Sequence, residues 1–97
     1  MNRTYMNEFP NYDDELILPS EWFDSSWHND VSPSFEKRMG EIIYKIWCDF
    51  KDPNKREVGG KQFTVATYDQ NEFEHLQDLA EFDTLQEALD FVKGATA

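Results

Sequence analysis

The sequence predicts an α+β fold: a small antiparallel sheet of about three strands, a C-terminal helix packed on one face, and an irregular aromatic-rich N-terminal segment. Two observations carry that expectation. An odd-even pattern with β-branched and aromatic residues runs through residues 42–51 and again through residues 62–68. After Thr84, apolar residues recur at helical spacing, and Thr84 with Glu87 three positions later forms a capping box that opens a helix.

Taken in order, residues 1–19 mix Asn, Tyr, Phe, Pro and acids around a short apolar step, Leu16-Ile17-Leu18. This reads as irregular chain, or a short edge strand, docked through its aromatics. Ser20 is placed to cap a short helical turn, with Glu21 favourable at the positive end of its dipole. Trp22, Phe23 and Trp27 then bring three aromatics within six residues, among the turn formers Asp24, Ser25, Ser26, Asn29 and Asp30. Either the two tryptophans pin this irregular stretch to the sheet, or they stand out as aromatic anchors for a partner. Ser32-Pro33-Ser34 punctuates the chain and opens a turn over residues 35–39.

The strand over residues 42–51 places Ile42, Tyr44, Ile46, Cys48 and Phe50 on one side and Ile43, Lys45, Trp47, Asp49 and Lys51 on the other. Asp52-Pro53-Asn54 and Gly59-Gly60 mark a long loop, rich in bases (Lys51, Lys55, Arg56, Lys61), that returns the chain to the strand over residues 62–68. Residues 73–82 fit helix or strand, and a third strand over residues 74–82 is the preferred reading. Leu85, Ala88, Leu89 and Val92 form the apolar stripe of the last helix, which Gly94 ends. Ninety-seven residues suit one core, so residues 1–97 are expected to form a single acidic domain. Eight Phe, four Tyr and three Trp supply the burial that such a core needs.

The formal net charge is −11, and it is unevenly spread. Residues 1–34 carry −6, residues 35–61 carry +2 and residues 62–97 carry −7, with no Lys or Arg between residues 62 and 92. Such a balance opposes direct contact with nucleic acid or anionic membrane and favours a basic partner. Lone Cys48 excludes a disulfide framework and suits a reducing compartment, and no signal sequence or membrane span is visible, so a cytoplasmic protein is expected.

Catalytic and metal chemistry find little support. Ser26, His28 and Asp30 hold the residue types of a triad, but near-adjacent residues seldom reach that geometry. Cys48 lies mid-strand with no histidine near it in sequence, as a structural thiol does. Gly59-Gly60 lacks the spacing of a phosphate loop, and Asp13-Asp14-Glu15 lacks that of a calcium loop. The expectation is a non-enzymatic, monomeric binding protein without cofactor or metal.

The acids themselves are the candidate site. Asp83, Glu87 and Asp90 fall on the solvent side of the predicted helix, with neighbours about 5–6 Å apart. Glu72 and Glu74 repeat at about 6.5 Å if that segment is extended, and Asp78 and Glu81 follow on the same predicted strand. These separations are comparable with those between nucleic-acid phosphates. In size, charge and lack of a catalytic motif, the chain resembles the small acidic anti-CRISPR proteins of phages and mobile elements that imitate DNA, particularly those acting on type I CRISPR surveillance complexes. That resemblance implies an inhibitor that fills the basic DNA-binding groove of such a complex in a bacterial host cell, without turnover. Those proteins share no common fold, so the candidate contacts Glu72, Glu74, Asp78, Glu81, Asp83, Glu87 and Asp90 rest on charge alone. An immunity or antitoxin-like protein that blocks a basic nuclease site is the alternative, with a small accessory subunit the third reading.

Overall fold

A computed structural model describes residues 4–56, 60–71 and 74–96. Five antiparallel strands form one sheet in sequence order: β1 (Phe23–Asp24), β2 (Ser34–Met39), β3 (Ile42–Cys48), β4 (Phe63–Asp69) and β5 (His75–Phe82). A short helix, α1 (Thr4–Glu8), precedes the sheet, and α2 (Leu85–Ala95) follows it. The expected sheet of about three strands is therefore wrong by two, although the chain remains of α+β type. The added strands are β1 and β2. Residues 35–39, expected as a turn, pair along their length with β3, from Phe35 opposite Ile46 to Met39 opposite Ile42.

Local chemistry explains the connections. Gly40-Glu41 makes the two-residue turn between β2 and β3, and Gly40 sits at φ +62, a left-handed conformation that a Cβ disfavours. β3 and β4 pair over seven residues each, from Ile42 opposite Asp69 to Cys48 opposite Phe63. The long loop between them is held by its own polar groups. Asp52 caps the 3-10 turn Pro53–Lys55 by accepting from the Asn54 N–H at 2.9 Å. The Arg56 guanidinium donates to the carbonyls of Phe50, Gly60 and Lys51 at 2.7, 2.8 and 3.0 Å. From the N-terminal segment, the Asp13 carboxylate accepts from the N–H groups of Lys51 and Asp52 at 2.8 and 2.9 Å. Burial is the largest single effect on the Asp13 pKa and raises it, but those two bonds, a bond from its own N–H and the charge of Lys55 together favour the anion, and the net shift is downward.

The helix begins where its capping box lies. The Glu87 N–H donates to Thr84 Oγ1 at 3.2 Å, and the Thr84 hydroxyl reaches the Glu87 carboxylate at 3.0 Å. It runs one residue beyond Gly94, to Ala95, where Thr96 closes it by donating its N–H to the Val92 carbonyl. The other expected turn differs: Ser20 caps no helix, because the Trp22 N–H bonds the Pro19 carbonyl at 3.0 Å in a tight turn. Leu16-Ile17-Leu18 is irregular, with no strand pairing.

One face of the sheet carries the core. Phe35, Ile46, Cys48, Phe63 and Val65 point into it, and Ala88 and Val92 of α2, Tyr5 of α1 and Leu16 close over them. Helix α2 packs on β4 and β5. Tyr5 is almost wholly buried and acts as a hub: its ring meets the edges of Tyr12 and Phe35, each at 6.0 Å between centroids, and its hydroxyl accepts from the Leu16 N–H. Cys48 lies in this core, where burial first, and then the charges of Asp24 and Asp14, push the thiol well above its ordinary pKa. Trp22 packs against the same cluster while Trp27 is 51% exposed, so the two tryptophans of the aromatic block have different surroundings. Among the described residues, no helix is long and apolar enough to cross a membrane.

Candidate functional site

The second face of the sheet is not covered by a helix, and the strand pairing decides which side chains line it. Glu36, Lys45, Ala66 and Asp78 stand in one row across β2 to β5. Ser34, Trp47, Thr64 and Glu81 form the next row, and Arg38, Ile43, Tyr68 and His75 the one beyond. On this face Ser34, Ile43 and Ala66 are buried, whereas Arg38, His75, Asp78 and Glu81 stand exposed.

Two register shifts in β5 shape the acidic side of this surface. Val65 pairs with Ala80 but the next residue, Ala66, pairs with Asp78, which leaves Leu79 as an extra residue. Thr67 pairs with Gln77 and Tyr68 with His75, which leaves Leu76 as another. Side chains three apart on a regular strand point to opposite faces. Each bulge reverses that parity, so His75, Asp78 and Glu81 all reach the open face. His75 Nε2 and Asp78 Oδ1 lie 2.8 Å apart as a result.

The aromatic side is tightly organised. The Trp47 Nε1–H donates to the Tyr68 hydroxyl at 3.1 Å. Lys45 Nζ lies 4.8 Å from the Trp47 ring centroid and 4.9 Å from that of Tyr68, and it pairs with Glu36 at 3.2 Å. Tyr68 also meets the His75 ring edge-on at 5.3 Å. Burial is the main cause that raises the Tyr68 pKa; the Trp47 hydrogen bond opposes it, and the charges of Asp78, Asp30 and Glu36 add to it. The phenol thus senses a negative field built from three different segments.

Beside Trp47 the face opens into a cavity of about 760 Å³, whose walls include Asp30, Trp47, Lys61, Thr64, Asp78 and Glu81. Its size is that of a site for a small molecule or for several side chains of a partner. The Glu81 carboxylate is held at its rim, accepting from the Lys61 N–H at 3.2 Å. Gly60 makes this possible: it adopts φ +82, and a Cβ there would stand 2.5 Å from Glu81 Oε1.

The candidate acids do not form one stripe. Asp78 and Glu81 share the open face, and Asp83 lies in the turn that follows, 4.0 Å from Lys61 Nζ. Glu74 is exposed just before β5, with its carbonyl accepting from the Asp69 N–H. Glu87 and Asp90 belong to α2, on the opposite side of the sheet; Asp90 borders a separate groove of about 550 Å³ together with Lys37 and Lys93. Glu72 lies outside the described residues. Asp30, Trp47 and Tyr68 were absent from the candidate set. The alternation that puts Lys45 and Trp47 opposite the core side of β3 is a signal for Trp47, and that in β4 for Tyr68, whereas nothing local marks Asp30.

Ser26 and His28 are engaged separately. The Ser26 hydroxyl accepts from the Ser34 N–H at 3.2 Å, whereas His28 Nδ1 lies 2.9 Å from Glu8 Oε1. That hydrogen bond from His28 is the chief reason the Glu8 pKa is lowered. Comparison with protein-family models, with curated proteins and with solved structures finds no match for this chain.

Proposed function

We propose that this chain is a non-enzymatic inhibitor that occupies a basic, nucleic-acid-binding surface of a partner protein, in the manner of a DNA mimic. Its contact surface is the open face of the sheet, with Asp30, Asp78 and Glu81 at the centre and Asp83 at the margin. The observation that supports this reading is the gathering of carboxylates from three separate segments (Asp30, Asp49, and Asp78 with Glu81) around one cavity, with Lys61 as the one base among its described lining residues. Carboxylates held in place pay little ordering entropy on binding, and their summed field draws a basic surface from a distance. A groove built to hold phosphates presents the complementary field.

Competition tests this. Target DNA is titrated against the complex of this protein with a purified type I CRISPR surveillance complex, using three forms of the chain. The parent should exclude DNA. The variant Asp30→Asn/Asp78→Asn/Glu81→Gln should lose affinity by about tenfold or more with its circular dichroism unchanged, because each neutralised contact weakens steering and pairing alike. The helix variant Glu87→Gln/Asp90→Asn should bind like the parent. Simultaneous binding of DNA and protein, or full inhibition by the open-face variant, would sink the proposal.

A further inference from the structure

We infer that the outer edge of β5 receives an extended basic segment of the partner as a sixth strand, a mode of binding that rests on the basic-partner reading above. β5 is the outermost strand, eight residues long, and β4 is its one neighbour in the sheet. Among the described residues, its backbone hydrogen bonds run to β4, and none reaches its outer edge from elsewhere in the chain. Residues 74–78 are exposed, including Leu76 at 49%. An edge of this length with free N–H and C=O groups is a template for another strand.

Charge selects what that strand is. No Lys or Arg lies between residues 62 and 92, so β5 and its flanks are rich in acids, Glu74, Asp78, Glu81 and Asp83, with His75 beside Asp78 and Lys61 4.0 Å from Asp83 as the neighbouring basic side chains. Cross-strand neighbours stand with Cβ atoms about 4.5–5.5 Å apart, where like charges repel and opposite charges attract. A second copy of this chain, pairing β5 against β5, would set carboxylates against carboxylates. A segment with Lys or Arg opposite Asp78 and Glu81 would not. The bulge at Leu79 puts those two acids on the same face, while Ala80 and Phe82 face the core side, where Phe82 rests against Phe91 at 5.3 Å. The added strand therefore carries bases toward the open face and small or apolar side chains toward α2.

The probe is a ten-residue peptide of alternating Lys and Val, blocked at both ends. Three controls accompany it: the same peptide with alternate backbone amides N-methylated, an alternating Glu and Val peptide, and the Asp78→Asn/Glu81→Gln chain. Binding to the full chain is measured by calorimetry, with amide chemical shifts and exchange followed in β5. The expected result is binding of the Lys peptide with slowed exchange at β5 amides. Affinity should fall about tenfold for the doubly neutralised chain, as the loss of two cross-strand charge pairs implies, and vanish for the N-methylated and Glu peptides. Equal binding of the N-methylated peptide overturns strand addition and leaves the charge-based function standing. Equal binding of the Glu peptide, or self-association of the chain through β5, overturns the choice of a basic occupant. A Lys peptide that fails to bind while the chain still competes with DNA likewise overturns the edge alone. Strand addition without DNA competition would instead leave the edge standing and remove the mimicry.

Discussion

At Tyr68, one phenol reports the electrostatics of the whole open face. Its hydroxyl accepts from Trp47, its ring shares Lys45 with that indole, and three carboxylates raise its pKa once burial has begun to do so. Because the folded pKa lies above the unfolded value of about 10, the folded state holds its proton more tightly. The stabilisation this contributes is fully present below about pH 10 and is lost as pH rises through the folded value. Changing Asp78 to Asn removes one of the charges that raise it, so the Tyr68 titration should move down toward the ordinary value. Ultraviolet absorbance of tyrosinate, with Tyr68→Phe identifying the signal, measures that shift. An unchanged titration in Asp78→Asn would mean that the carboxylate does not act on this face. Lys45, by contrast, is committed: held between two rings and Glu36, it adds little positive charge for a partner to meet.

Among the elements, the β2–β3 hairpin shows how a turn can decide a fold. Glu36, Lys37, Arg38 and Met39 belong to types that favour helix more than strand, and nothing in their order announces extension. Pairing with β3 overrides that preference, and Gly40 at φ +62 lets the chain reverse in two residues. A Cβ at Gly40 would meet nothing within 4 Å, so a Gly40→Ala change isolates the backbone cost from any clash. It should destabilise the protein by about 1–2 kcal/mol, read as a lower urea midpoint with an unchanged slope. No loss of stability would show that the turn relaxes into another conformation. β5 illustrates the complementary case, where the sequence fits helix or strand and, even when it is read as a strand, its faces are not legible. Alternation along residues 74–82 sets Asp78 and Glu81 on opposite sides; the bulge at Leu79 against β4 brings them together.

For the molecule as a whole, the middle of the sequence holds most of the bases and the structure accounts for where several of them go. Arg56 binds backbone carbonyls within its own loop, Lys45 is enclosed by rings, and Lys37 lies with Lys93 in the groove beside α2. The acids of β5 and residue 30 are left facing outward, so association with a basic partner should be steered over long range. The association rate constant is expected to fall by about tenfold or more between low salt and 0.5 M ionic strength, with the dissociation rate much less affected. Stopped-flow binding at several salt concentrations checks this, and a salt-independent association rate would contradict steering by the open face. What the sequence by itself determined are the parts whose signals are local: the alternation under β3 and β4, the capping box and apolar stripe of α2, and the excess of acid. Each depends on residues a few positions apart, whose preferences act before any long-range contact forms. Only the tertiary structure decided that five strands pair rather than three, that Asp30 joins Asp78 and Glu81 around one cavity, and that Glu87 and Asp90 stand on the other side of the sheet. Strand pairing and bulges are properties of two segments at once, and neither segment alone carries the register that sets which face its side chains occupy.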